Sequence, residues 1–184
     1  MSLTNQQLLE CITPYLPYVV KAYDENQEIK TDTIVGIYGN VFDFANWSPI
    51  NSHIQNYKLV LRPLSDLTKP CLEGGEVPIL KLIKYVCNDK YIVVNIQNYN
   101  NTCTALFTPS NDPESKFFLD IDIVGFGIFY GIVRQADNNG INNDKYLPIN
   151  NILGIMKFLY KHHFDIHGLI QQGYAIDINT INTK

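Results

Sequence analysis

The chain has 184 residues, 46% of them hydrophobic and 17% charged, with a net charge of −4. That apolar content excludes a disordered polymer. The acidic balance gives no electrostatic footprint for DNA or RNA, and with Arg62 and Arg134 as the two arginines a phosphate-reading surface would have to rest on lysines.

The length suits a single domain over residues 1–184, with residues 88–146 a β-rich insertion or diverged portion. Cys11, Cys71, Cys87 and Cys103 are far apart and form no CxxC pair, so reduced thiols are expected rather than a zinc ribbon or a disulfide frame. No basic and apolar leader opens the chain. The apolar run at Ile121–Val133 is too short to span a bilayer and is cut by Gly125, Gly127 and Gly131. The expectation is a soluble cytoplasmic protein with no membrane segment.

Thr4–Ile12 reads as a short helix with Thr4 as N-cap and Gln7 at the capping-box position, ended by Pro14 and Pro17. Tyr18–Tyr23 looks extended and Asp24–Gln27 is a polar turn. Thr33–Phe44 reads as a hairpin turning at Gly39-Asn40. Its GxxG is no phosphate loop, since neither a following helix nor a Lys-Ser/Thr pair accompanies it. Trp47–Gln55 is loop and holds His53.

Tyr57–Leu61 is a strand that runs into the turn Arg62–Leu67. Arg62 and Asp66 are candidate binding residues there. Each has the alternative of a local structural bond, which is the commoner fate of a lone arginine. Pro78 occupies the first position of a second helix, whose buried face is Ile79, Leu80, Ile83 and Val86-Cys87, and Asn88-Asp89 breaks it. Tyr91–Gln97, Thr102–Phe107, Phe117–Asp122 and Val124–Val133 read as four strands. Glycine at every second place from Gly125 to Gly131 thins one face, so another backbone or a ligand can lie close. Ala136–Lys145 is an Asn/Gly/Asp loop.

The last helix starts after Asn150 or Asn151. Its apolar stripe is Ile152, Ile155, Met156, Leu159 and His163, and it is apolar enough for burial on more than one side. Gly168 is the expected stop, Gly173 makes a second turn, and Tyr174–Ile178 is a short strand. The run HHFDIH admits two readings. If the helix continued through His167, then His163 and His167 would share a face. With His162 and Asp165 they would form a zinc or manganese site, the metal-dependent hydrolase reading, with Asp120 or Asp122 as a further carboxylate. The structural reading has more behind it, because histidines suit the negative end of a helix and His163 ends an apolar stripe.

Two further segments carry a resemblance. YKLVLRPLSDLTK at Tyr57–Lys69, followed by GGEVPILKL, resembles a block of small phage and prophage proteins of the Bacteroidetes. HFDIHGLIQQGYAIDINTI at His163–Ile181 is similar to their closing block, usually HFDxFGLIxxGLAIDINTL, and the opening helix with YLPY matches their start. The resemblance does not cover Asn88–Tyr146 and brings no catalytic residue with it. It places an aromatic residue where this chain has His167, which makes His167 a replaced core or boundary side chain.

The sequence therefore points to an α+β fold, a mostly antiparallel sheet of six to eight strands packed by two or three helices, with a partly closed barrel as the alternative. The function it points to is a phage-type or prophage-type accessory protein that binds a macromolecular partner, a protein rather than a nucleic acid. Self-assembly into a homo-oligomer through an exposed strand edge stands beside it.

Overall fold

The computed structural model describes residues 3–24, 31–39, 41–46, 53–87, 90–99, 101–111, 114–122, 127–133 and 145–181. In chain order the elements are α1 (Asn5–Ile12), β1 (Lys21–Asp24), β2 (Thr31–Tyr38), β3 (Val41–Phe44), β4 (Tyr57–Leu61), α2 (Pro78–Val86), β5 (Tyr91–Tyr99), β6 (Thr102–Pro109), β7 (Lys116–Asp122), β8 (Gly127–Val133), β9 (Lys145–Tyr146), α3 (Ile152–Lys161) and β10 (Ala175–Asp177). The fold is α+β. Its strands form two open five-stranded sheets, ordered β10-β4-β1-β2-β3 and β5-β6-β7-β8-β9, in place of one larger sheet or a barrel. The chain divides into two compact units, Met1–Pro63 with Leu159–Lys184, and Leu64–Phe158.

The first unit opens with the capping box, in which the Thr4 hydroxyl accepts from the Gln7 amide and the Gln7 side chain accepts from the Thr4 amide. Pro14 and Pro17 end α1 but do not release an extended chain. Residues Thr13–Tyr18 wind on as a 3-10 helix, whose short runs tolerate a fixed proline φ. The exit is Val19 at φ 61, an unusual place for a β-branched residue. β1 pairs antiparallel with β2 and β4, β2 with β3, and β10 joins β4 in parallel with Ala175 opposite Leu59. Asp32 is buried and fixes the β2–β3 hairpin by accepting from the amides of Thr33 and Asn46. The hairpin turns at Gly39, and Asn40 lies outside the described residues. The core gathers Leu8, Ile12 and Tyr15 with Ile34, Leu59 and Leu169.

The second unit is an antiparallel meander with α2 and the 3-10 turn Leu64–Thr68 packed against β6. Ile79, Leu82 and Ile83 of α2 are fully buried, as are Phe107, Leu119 and Ile121 of the sheet. The Tyr91 hydroxyl donates to the Leu80 carbonyl, and the Cys103 thiol to the Leu64 carbonyl. In α3 the expected stripe is buried at Ile155 and Leu159, but the first turn leaves Ile152 and Leu153 exposed, so α3 is not covered on several sides. Val124, Gly125 and Phe126, the start of the fourth expected strand, and most of the Ala136–Lys145 loop lie outside the described residues.

Candidate functional site

The HHFDIH run is a pair of turns, not a helical face. α3 ends at Lys161, short of the length that would stack His163 on His167. The Phe164 amide donates to the Leu159 carbonyl and the His163 amide to the Tyr160 carbonyl. These are the two bonds of a Schellman stop, with His163 in the left-handed position at φ 58. The stop expected at Gly168 therefore falls five residues earlier. Glycine is the usual occupant of such a position, and a histidine there costs about 1–2 kcal/mol in backbone strain. Two contacts offset that cost. His163 donates from Nε2 to the Tyr18 carbonyl at 2.8 Å. Phe164, the next residue, is fully buried. A second stop of the same kind follows at Gly173, where the amides of Gly173 and Tyr174 donate to Ile170 and Leu169.

Between the two stops Asp165 is buried with its carboxylate bonded inward. One oxygen accepts from the Leu169 amide and the other from the Ile170 amide, both at 2.8 Å. Tyr15, fully buried, donates its hydroxyl to the Phe164 carbonyl at 2.7 Å and accepts from the Ile166 amide. The Tyr160 hydroxyl and His167 Nε2 stand 3.3 Å apart, and the Tyr15 ring meets the Tyr160 ring edge-on at 4.9 Å. Backbone bonds join the loop to the end of β4, from the Arg62 amide to the His163 carbonyl and from the Asp165 amide to the Arg62 carbonyl. The polar atoms of His163 and Asp165 thus hold the backbone that delivers β10 to the sheet. Among the described residues no three His, Cys, Asp or Glu side chains gather as a metal-holding group. His162, the remaining member of the run, is half-buried and has a partner of its own.

Burial sets the charge of these groups. It holds the His163 imidazole below the ordinary 6.5, and Arg62 and Lys21 add repulsion while the bond to Tyr18 offsets part of the shift. Burial also lowers His167, against the pull of Asp165. A histidine whose folded pKa lies below its unfolded one leaves the unfolded chain holding more protons in between, so stability rises with pH through that window. Stability should be level above the ordinary histidine value and fall below it. Asp165 is pushed up by burial despite its amide bonds and works in the opposite sense. The variant, not the bare slope, therefore makes the test. Urea unfolding between about pH 7.5 and about pH 5.5 should lose part of its pH dependence in His163→Asn, which keeps a residue tolerant of left-handed backbone. An unaltered slope would mean that His163 titrates alike in the folded and unfolded chain.

The other two sequence candidates have structural employment. Asp66 is buried and takes the Lys69 ammonium at 2.7 Å, and its carbonyl accepts from the Lys69 amide and the Cys71 thiol. Arg62 supplies the backbone bridge just described and belongs to the first unit, whereas Asp66 belongs to the second. Burial pushes the Cys103 thiol up to about 12, far from a nucleophilic thiolate.

The surface best suited to a partner is on the second sheet. Residues that face each other across an antiparallel ladder share a face. Cys103–Ile121–Ile128, Ala105–Leu119–Tyr130 and Phe107–Phe117–Ile132 are the inner rows. The opposite face carries Gln97–Thr104–Asp120–Phe129, Asn95–Leu106–Phe118–Gly131–Tyr146 and Ile92–Thr108. Asp120 and Asp122 share this outer face, as strand alternation requires. The glycines explain its shape. A Cβ at Gly127 would stand 2.7 Å from the Phe129 ring. One at Gly131 would stand 2.6 Å from the Phe118 ring and 2.5 Å from the Lys145 carbonyl oxygen. Aromatic rings of the same sheet lie on the thinned positions, where the sequence left room for a ligand. Tyr146 then meets Phe118 edge-on at 5.8 Å and Phe129 at 6.0 Å. The result is an exposed aromatic pair, Phe129 (46%) and Tyr146 (67%), lying with Phe118 on the β8–β9 side of the sheet. Ile92 (65%) and Val94 (53%) are exposed on β5 at the opposite edge and are not part of it. The pair's one signal in the sequence was the Gly-Phe alternation.

No helix among the described residues is long and apolar enough to cross a membrane. No family model, curated protein or solved structure matches the chain.

Proposed function

We propose that the chain is an accessory protein of phage or prophage type that acts in the bacterial cytoplasm by holding a protein partner, and that the contact lies on the outer face of the second sheet. The phage assignment rests on the three sequence blocks at Tyr57–Lys69, His163–Ile181 and the opening helix. The contact rests on one observation, exposed Phe129 and Tyr146 packed together with Phe118 on a single sheet face. Contiguous apolar groups with polar surroundings are the usual mark of an interaction surface. Aromatic rings add contact area at low entropy cost. The net charge of −4 favours a protein over a nucleic acid as the occupant.

The test compares immobilised wild type with Phe129→Lys, Tyr146→Lys and, as a control on exposed Tyr38 of the first unit, Tyr38→Lys. A host or phage protein retained by wild type and by the control should be lost by both face variants, with affinity reduced about tenfold or more as expected for a central aromatic contact. Equal retention by all four proteins would place the contact elsewhere.

A further inference from the structure

Four strands end the two sheets, and three of them are poor templates for another strand. β3 carries exposed Asp43, and its Val41 is bridged by His53. β10 has three residues and ends in Asp177. β9 has two residues, one of them exposed Lys145. β5 differs. It runs nine residues, Tyr91-Ile-Val-Val-Asn-Ile-Gln-Asn-Tyr, without a charge or a proline, and among the described residues it pairs with β6 alone. Charge, proline and brevity are what keep a sheet edge from pairing with another chain, and β5 has none of them. Its one irregularity is the bulge between Val93 and Asn95. The ladder is regular from Asn95 to Tyr99, and Ile92 and Val94 stay exposed.

The geometry points to a second copy of this chain as the occupant of the β5 edge, paired antiparallel, β5 on β5, across a two-fold axis. An outward row of backbone amides and carbonyls is met in full by another extended strand. Around a two-fold axis the strand is its own complement, with residue i facing residue j and j facing i, so an edge that carries a charge brings two like charges into one short interface. Asp43, Asp177 and Lys145 place such a charge on each of the other edges, whereas β5 brings no like charges together in any register. A charged peptide, conversely, finds no counter-charge along β5. The two-fold axis of an antiparallel pair stands perpendicular to the sheet. Both outer faces therefore lie on the same side of a ten-stranded sheet, and a contact face of the kind proposed above would be presented twice. That doubling rests on the outer-face reading; the pairing does not.

A nine-residue strand spans about 30 Å, and one such pairing buries less than the roughly 1,200 Å² of a tight interface, so association depends on concentration. The mass of the full chain is followed by sedimentation under reducing conditions from about 1 to about 300 µM, which brackets a weak interface. It should climb from 21.0 kDa towards twice that value. Ile92→Lys, Val94→Lys and Gln97→Lys, all at exposed positions, should each hold it at a single chain with an unaltered circular dichroism spectrum. In parallel, amide exchange of wild type should slow along Tyr91–Tyr99 as concentration rises. This second measurement decides the case if the lysine variants fail to fold. A single-chain mass at every concentration, lysine variants that associate like wild type, or concentration-dependent protection confined to other segments would each overturn the pairing. Retention of a partner through Phe129 and Tyr146 is scored on the single-chain Val94→Lys protein, so loss of the dimer and loss of the partner are read apart.

Discussion

Asp165→Ala is expected to destabilise the fold by about 2–4 kcal/mol, because it strips the acceptors from one buried and one part-buried amide. Leu169 is fully buried and Ile170 half-buried, and both donate to the Asp165 carboxylate at 2.8 Å. The turn they close carries the chain from the stop at His163 to β10, whose parallel pairing with β4 completes the edge of the first sheet. Asp165→Asn separates two explanations. If the buried charge were a net burden, removing it while keeping the shape would raise stability. If the two amide bonds dominate, Asn offers one acceptor for two donors and stability falls, by less than in Asp165→Ala. We expect the second outcome. Equilibrium urea unfolding of the three proteins measures it, and an Asn variant at least as stable as wild type would reverse the assignment of the carboxylate as a backbone anchor.

How much of this was legible beforehand varied with the range of the interaction. The capping box at Thr4 and Gln7, Pro78 opening α2, the hairpin turning at Gly39 and strands β5 to β8 are all written within a few residues, and their described parts stand where expected, whereas β9 falls where a loop was expected. The end of α3 was not legible. Gly168 has the favoured chemistry for a left-handed stop, but His163 takes the position because its ring reaches the Tyr18 carbonyl, 145 residues away in sequence, and because Phe164 must enter the core. Division into two sheets was hidden for the same reason. β10 joins β4 across more than a hundred residues, and no local pattern marks that pairing.

The candidate residues follow the same division. Histidines and an aspartate at metal-like spacing drew attention because spacing is visible in one dimension. Once folded, His163 Nε2 and both Asp165 oxygens are bonded to backbone, which accounts for the residue types without a ligand. The outer face of the second sheet was nearly invisible, because its members come from β5, β7, β8 and β9 and share a face through register alone. What could be read was the glycine alternation. Its meaning, the Phe129 ring of the same strand lying on Gly127 and the Phe118 ring of β7 on Gly131, required the fold.

The second large effect is expected at Tyr15, which joins α1's 3-10 extension to the closing loop. Its side chain is fully buried, its ring meets Tyr160 edge-on, and its hydroxyl bonds the Phe164 carbonyl and the Ile166 amide. Burial, with Asp165 nearby, holds the phenol protonated well above its usual range, so it acts as a fixed donor at any working pH. Tyr15→Ala removes ring and hydroxyl together and should cost about 3–5 kcal/mol, within the range for emptying an aromatic core position. Tyr15→Phe keeps the packing and leaves the carbonyl and the amide short of a partner, for about 1–3 kcal/mol. For a chain of this size each kcal/mol lowers the thermal midpoint by about 2–4 °C. Calorimetry should therefore resolve both steps. A Phe variant as stable as wild type would show that the two backbone groups find other partners and that Tyr15 contributes through its ring alone. A Tyr15→Phe/Asp165→Asn double variant completes the argument. Both residues fix the same loop, Phe164 to Ile170, so the double variant should lose less than the two single losses added, since the second change acts on a loop the first has already loosened.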